Sequence, residues 1–300
     1  MKVRFIINPI AGRHSGRRGM VDEITDAVTR VFSGVSGLFE IKVSLSRDDA
    51  FRLSMEAAKR GYDTVFACGG DGTINAVASA IVNSGTSLGI IPAGSGGGLA
   101  RALGIPLDAE KAMGVLLKGR VRRIDAGSAD NGRFFFSTAG IGLDAAVSKR
   151  YGDWAKRRVR RGSSLSLPAV LKEYIFYRPG NLTVKWGGGN SLRARPLFFT
   201  VANTSGFGAS AVIAPSAVPD DGLFDVCVAE PDGFLNALSM ARRLFNGRID
   251  RMERFKTIRT DAVEVDREGP GLLHVDGTVF EAGRTVTFRM LPKALGVWAF

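Results

Sequence analysis

The sequence lacks the run of roughly eighteen consecutive apolar residues that a membrane-spanning helix needs. It is also poor in cysteine and histidine, with two of each in 300 residues. Cys68 and Cys227 lie in separate apolar, strand-like runs, so no disulfide framework is implied and a reducing cytoplasm is the expected setting. His14 and His274 have no Cys or His at ligand spacing, which argues against zinc. The opening MKVRFIINP reaches Asn-Pro and Gly too early for a secretory signal and reads as a first strand. There is no internal repeat and no low-complexity segment. Acidic residues are short too: 29 against 41 basic ones leaves a net charge of +12. That surplus favours anionic partners, whether nucleic acid, phosphorylated ligand or lipid surface. It is concentrated in KRYGDWAKRRVRR at 149–161 and RRLFNGRIDRMERFKTIR at 242–259. Few aromatics interleave with these runs, so nucleic-acid binding ranks last. They read either as solvated helix faces or as contacts to anionic headgroups, where each Lys or Arg contributes about 1 kcal/mol.

What is present is apolar material at 45%, enough for two domains of ordinary size. Through the first 120 or so residues strands and helices alternate. Lys2–Asn8, Phe39–Leu45, Tyr62–Cys68 and Leu88–Pro92 are short apolar runs. Between them Met20, Ile24, Ala27, Val28 and Val31 recur at helical spacing, Ala50–Arg60 ends at Gly61, and Ile74, Val77, Ala78, Ile81 and Val82 share one face. Helices follow at Leu99–Leu103 and Asp108–Lys118. This alternation predicts an α/β domain with a largely parallel sheet over 1–122. From Val121 the pattern turns to short alternating strands: Arg133–Ser137, Leu182–Trp186, Leu192–Val201, Phe224–Ala229, Leu272–Val275 and Thr285–Met290. A GGGN turn at 187–190 marks a hairpin, and helical patterns interrupt at 151–177 and 233–246. Residues 123–300 therefore read as an antiparallel β-rich, sandwich-like domain, whose last residues return to the first domain or stay in the second.

The strongest chemical signal is CGGDGTINAV at 68–77, set between a strand and a helix. Gly69, Gly70 and Gly72 remove side chains, so that backbone amides can approach a phosphate at a helix N-terminus. Asp71 suits a magnesium ion held against those phosphates, and Thr73 suits a helix cap or a phosphate oxygen. A plain turn with a cap is the competing interpretation. A second cluster, PAGSGGGLAR at 92–101, follows the next strand and opens another helix. Asn8, Pro9 and Gly12 end the first strand on the same rim, where open α/β sheets bind ligands.

These segments, with NPIAG, GGDGT and PAGSGGGLARALGIP in the first half and FFSTAGIGLDAAV, PDDGLFDVCVAE and HVDGTVFEAG in the second, resemble the diacylglycerol kinase catalytic-domain family. That family includes bacterial lipid kinases and sphingosine kinases, and the resemblance spans essentially the whole chain. It implies a nucleotide-binding α/β domain, a lipid-binding β-sandwich and ATP in the cleft between them. By position it implies nucleotide contacts from Asn8, Gly69, Gly70, Asp71, Gly72, Thr73 and Ser95, with Gly94 and Gly96 beside it and Ser44 a further member. It places a structural magnesium on Asp221 and the main-chain oxygens of Val218 and Leu223, and puts Asp125 in the acidic network near the active magnesium.

The chain departs from the family at three places. Ala76 stands where the family has Glu, Gly97 where it has Asn, and Thr278 where it has the Glu of an Asp-Gly-Glu motif. Thr278 cannot take a proton from the lipid hydroxyl. Asp276 can, and Glu281 is a stand-in if the loop is rearranged. The expected activity is in-line transfer of the terminal phosphoryl of ATP, with Mg2+, to a lipid alcohol such as diacylglycerol or a sphingoid base. Peripheral attachment to an anionic membrane is expected, and a homodimer is compatible with a sequence that fixes no oligomeric state. The alternatives are a catalytically impaired nucleotide- or lipid-binding homologue and, ranked lower, an NAD kinase, which shares the GGDGT core.

Overall fold

The computed structural model describes the chain apart from residues 12–16, 95, 131, 157–176, 209–210, 231–238 and 241. It divides into two compact units, Met1–Ile124 with Lys293–Phe300, and Asp125–Pro292.

In the first unit the order is β1 (Lys2–Ile7), α1 (Arg17–Val31), β2 (Leu38–Val43), α2 (Arg47–Lys59), β3 (Thr64–Gly69), α3 (Asp71–Ile81), β4 (Ser87–Pro92), α4 (Gly98–Ala102) and α5 (Ala109–Lys118). The four strands are parallel in the order β2-β1-β3-β4. β1 and β3 are buried along nearly their whole length, as apolar runs such as FII and VFAC require when helices cover both faces. Phe5 and Phe66 stack at 4.8 Å across the β1–β3 pair. Ser46 caps α2 by accepting the Asp49 N–H, and Asp108 caps α5 by accepting that of Lys111. The chain passes from β1 to β2 on one side, and the next connection crosses β1 to β3 on the other. That makes the carboxyl end of β1 a topological switch point, where ligands bind in such sheets.

One charge sits inside this core. Arg4 on β1 is fully buried, with Nε on Glu40 at 2.7 Å, Nη1 on the Leu53 carbonyl at 2.8 Å and Nη2 on Glu56 at 3.2 Å. Its guanidinium also lies 4.6 Å from the Tyr62 ring centroid. Burial pushes the Glu40 carboxyl up, but hydrogen bonds from Tyr62, Lys42 and Arg4, with the Arg4 charge, outweigh it and hold the carboxyl down at about 2. A carboxyl held lower in the folded than in the unfolded chain stabilises the fold above its ordinary value of 4.5, and that contribution fades as pH falls toward 2. Melting in wild type is therefore expected to drop through this acid window more steeply than in Glu40→Gln, read by calorimetry. Arg4→Ala, which leaves the buried Leu53 carbonyl unmet and a cavity beside the half-buried Glu40 and Glu56, is expected to lose about 3 kcal/mol in urea unfolding.

The second unit runs from β5 (Arg120–Ala129), whose first residues belong to the first unit, through β6 (Arg133–Phe135), β7 (Thr138–Gly142), α6 (Leu143–Lys156), β8 (Leu182–Trp186), β9 (Asn190–Ala194) and β10 (Phe198–Ala202). It continues with β11 (Gly206–Gly208), β12 (Ala211–Val212), β13 (Phe224–Ala229), β14 (Phe255–Thr260), β15 (Ala262–Arg267), β16 (Gly271–Val275), β17 (Thr278–Ala282) and β18 (Thr285–Ala299), whose residues from Lys293 on belong to the first unit. One antiparallel sheet is β14-β13-β10-β7-β16-β17; opposite it β18, β15, β8 and β9 pair antiparallel. Phe135, Phe199, Phe224, Val263, Val265 and Phe288 fill the space between them. The unit is sandwich-like, as the alternating pattern implied.

Two expectations about elements are corrected. The run 192–201 is two strands in different sheets, because Pro196 interrupts the ladder between Ala194 and Phe198. The basic run 242–259 is not one helix face: residues 242–245 are helical, a turn at Asn246–Gly247 follows, and Phe255–Thr260 is strand. The helical pattern at 151–177 is α6 up to Lys156, and 157–176 lie outside the described residues.

Candidate functional site

At the switch point of the first unit the backbone of Asn8 follows β1 and donates to the Cys68 carbonyl at 2.9 Å. Asn8 Nδ2 donates to Thr73 Oγ1 at 3.0 Å, and its Oδ1 accepts the Ile10 N–H at 3.2 Å. Thr73 lies so close to the preceding strand that a Cβ on Gly69 would fall 2.7 Å from its hydroxyl oxygen. α3 begins at Asp71 with Gly70 as N-cap and no side-chain cap, so its N-terminus offers backbone amides and the positive end of the helix dipole.

The two glycine loops touch backbone to backbone. A Cβ on Gly94 would lie 2.7 Å from Gly70 Cα, and one on Gly96 would overlap Asp71 Oδ2. Asp71 accepts the N–H groups of Gly97 and Gly98 at 3.1 and 3.2 Å, so its carboxylate caps α4 from the neighbouring loop. Sequence reasoning gave Asp71 a metal role and missed this structural one.

The remaining rim residues divide. Pro9 is buried behind Asn8. Ser44 is buried with its hydroxyl donating to the Ile7 carbonyl at 3.1 Å, so it braces the end of β1. Gly12 and Ser95 lie outside the described residues. Arg47 and Asn75 were missed: Arg47 Nη2 donates to Asn75 Oδ1 at 2.6 Å. The available signal was Asn75 itself, an amide on the buried face of α3.

The second unit holds a separate polar cluster around β16 and β17. Asp276 and Gly277, at φ 44° and 76°, form the two-residue turn between Val275 and Thr278. The Asp276 carboxylate accepts N–H groups from Phe136 at 3.0 Å, Ser137 at 2.9 Å and Thr138 at 3.1 Å. Asn203 holds the same stretch from its carbonyl side, donating Nδ2 to Phe136 O at 3.0 Å and its backbone N–H to Ser137 O at 2.8 Å. Two residues before Asp276, on β16, buried His274 Nε2 lies 3.0 Å from Asp144 Oδ2, which also accepts the Thr200 hydroxyl at 3.0 Å. Burial, and then the Asp144 charge, push the Tyr177 hydroxyl up to about 12.

Glu281 pairs with Leu272, and strand alternation puts it on the face opposite Thr278. That corrects its place as a stand-in: three positions along a strand reverse the side chain. Asp125 is fully buried, and its Oδ2 accepts the Gly222 N–H at 2.7 Å while its own N–H reaches Pro219 O at 2.7 Å. It anchors the 219–222 segment. In that segment Asp221 Oδ1 accepts the Leu223 N–H at 3.1 Å, and Oδ2 pairs with Arg259. Val218 is exposed at the start of the loop.

Residues 2–129 match the model of the diacylglycerol kinase catalytic domain, and residues 137–299 match that of the YegS C-terminal NAD kinase beta sandwich-like domain. The chain belongs to the diacylglycerol kinase and YegS-like lipid kinase family. It is 29% identical over 302 residues to a diacylglycerol kinase of Mycobacterium tuberculosis, covering 99% of this chain and 94% of the relative. A Pseudomonas aeruginosa protein named "Probable lipid kinase YegS-like" is 30% identical over 264 residues, covering 86% and 83%. A solved diacylglycerol kinase structure from Bacillus anthracis has the same fold, with a TM-score of 0.73 at 17% identity over 100% of this chain and 97% of that one.

The family's sequence pattern gives the departures physical meaning. Gly97 has φ 68°, the left-handed region that Asn and Gly both tolerate, so the exchange leaves the loop's path open. Ala76 is buried at 1% exposure inside α3, where a carboxylate would need a partner. Thr278 stands directly after the Asp276–Gly277 turn and carries no carboxylate.

Proposed function

We propose that this chain transfers the terminal phosphoryl group of ATP to the hydroxyl of a lipid alcohol, of the diacylglycerol or sphingoid-base class. The observation that carries this reading is the pair of touching glycine loops tied together by Asp71 at the carboxyl edge of the parallel sheet. Two loops built mostly of glycine leave backbone amides to receive a triphosphate, and the start of α3, which has no side-chain cap, adds its dipole. Among the described residues no group of three His, Cys, Asp or Glu could hold a metal by itself. That suits Mg2+, which is bound by one or two carboxylates together with substrate phosphates. Asp71 is the carboxylate for it, and the ion would neutralise charge on the transferring group. Asn8 and Thr73 position the first loop, and Asp276 is the acceptor for the lipid hydroxyl proton.

The test is incubation with terminally labelled ATP and a panel of lipids in mixed micelles, with NAD as a parallel acceptor. Label is expected in a lipid. Label in NAD alone would favour the NAD kinase reading, and label in neither would favour a binding protein, which Thr278 makes the second reading.

We further propose a peripheral membrane surface on the described basic run. No helix among the described residues is long and apolar enough to span a membrane. Arg242, Arg248, Arg251, Arg254 and Lys256 are exposed in the same segment as Phe245, itself 43% exposed, while Ile249 and Phe255 anchor the segment in the core. The other basic run lies mostly outside the described residues. Sedimentation with anionic vesicles is expected to weaken as salt rises, and to weaken further in Phe245→Ala with Arg248→Gln. Binding indifferent to lipid charge and to both substitutions would leave the run as solvated surface.

A further inference from the structure

The loop at 218–223, where the family resemblance places a structural magnesium, already holds a cation of its own. Asp221 has both carboxylate oxygens engaged, Oδ1 by the Leu223 N–H at 3.1 Å and Oδ2 by Arg259 Nη2. The same guanidinium turns its Nε to Asp225 Oδ1 at 3.4 Å, and the Asp225 side chain is only 3% exposed. This reach follows from register, because Arg259 on β14 stands directly opposite Asp225 on β13. Burial pushes the Asp225 carboxyl up; the Arg259 charge pulls it back and that of Asp221 adds to the rise. Asp125 holds the loop from the other side through Gly222 N–H and Pro219 O, both at 2.7 Å. A divalent ion on Asp221 would have to displace a guanidinium with two carboxylate partners. The donor set does not fit a magnesium ion in this arrangement.

We propose that Arg259 takes the place of the structural cation: its guanidinium bridges Asp221 and Asp225, and the loop keeps its shape without a divalent ion. An arginine suits this role because its planar fork reaches two carboxylates at once and stays charged at every working pH. The substitution also makes the second unit's stability independent of free magnesium, which then matters only with the nucleotide.

The test is thermal melting of the purified protein without nucleotide, in EDTA and in millimolar Mg2+ or Ca2+, so that its outcome does not depend on the kinase reading. Wild type is expected to melt at the same temperature in all three. Arg259→Gln is expected to melt several degrees lower in EDTA and to recover with either cation, as the vacated carboxylates accept it. Adding Asp221→Asn should abolish that recovery. Arg259→Lys, which keeps a charge, is expected to stay indifferent to chelation and serves if the Gln variant does not fold. A wild-type melting temperature that falls in EDTA, or stoichiometric magnesium in the purified chain by metal analysis, would overturn the proposal. So would an Arg259→Gln protein that melts as wild type does in EDTA.

Discussion

Asp71→Ala is expected to abolish measurable phosphoryl transfer and also to lower the melting temperature. The first effect follows from its proposed place beside the nucleotide, where loss of one preorganised electrostatic group removes about a hundred- to thousandfold. Loss of the metal carboxylate adds to that. The second effect follows from geometry: Gly97 and Gly98 would lose the acceptor of their N–H groups, and α4 its cap. Leaving a buried donor unmet costs about 1–3 kcal/mol, and each kcal/mol corresponds to about 2–4 °C in a chain of this size. Asp71→Asn separates the two, because its amide oxygen can still accept one N–H while it binds a cation far more weakly. Turnover of labelled ATP, nucleotide affinity by calorimetry and melting should be read together. If Asp71→Ala turns over at the wild-type rate with an intact fold, the glycine loops are not the phosphate site.

Asp276→Asn is expected to lower kcat by about a hundred- to ten-thousandfold, with ATP affinity nearly unchanged. The lower end is favoured by the chemistry, since phosphoryl transfer depends more on positioning than on proton removal. The structure adds a stability readout. Asn places an NH2 where Asp276 Oδ2 accepts the Phe136 N–H, setting donor against donor, so some loss of melting temperature accompanies the loss of rate. A base and a turn former differ in the pH–rate profile: only loss of a base removes the acid limb of kcat. Thr278→Glu is expected to raise turnover by returning a carboxylate to the family's position beside the turn, with a shifted profile where two like charges meet. Full turnover in Asp276→Asn would place proton acceptance elsewhere. Glu281 is no longer the next candidate, because it faces away from Thr278.

Much of this architecture was legible in the residues. β1, β3 and β4 announce themselves as short apolar runs because both faces are covered, and the GGDGT segment sits at the strand–helix junction its glycines require. The sandwich strands were less distinct. β14 was hidden in a basic run because Lys256, Thr257 and Arg259, half of its length, are polar and exposed. At the site, residue type suggested chemistry for Asp71, Asp125 and Ser44, whereas each also holds backbone together. Such roles depend on which loop arrives opposite, and no local pattern encodes that. Arg259 is the same case, since only the β13–β14 register brings it to Asp225.

The contact between Asp71 and Gly96 also shapes how this sequence can drift. A methyl group at position 96 would collide with the Asp71 carboxylate, and one at position 94 would strike the Gly70 backbone at 2.7 Å. Gly94 cannot change while its partner loop stays in place, and Gly96 cannot while Asp71 keeps its cap on α4. The two loops, some twenty-five residues apart in the chain, therefore form one heritable unit, and a lineage that loses Asp71 is released from keeping Gly96. Reappearance of a side chain at 96 would then mark, in a descendant's sequence, that the partnership had already been abandoned.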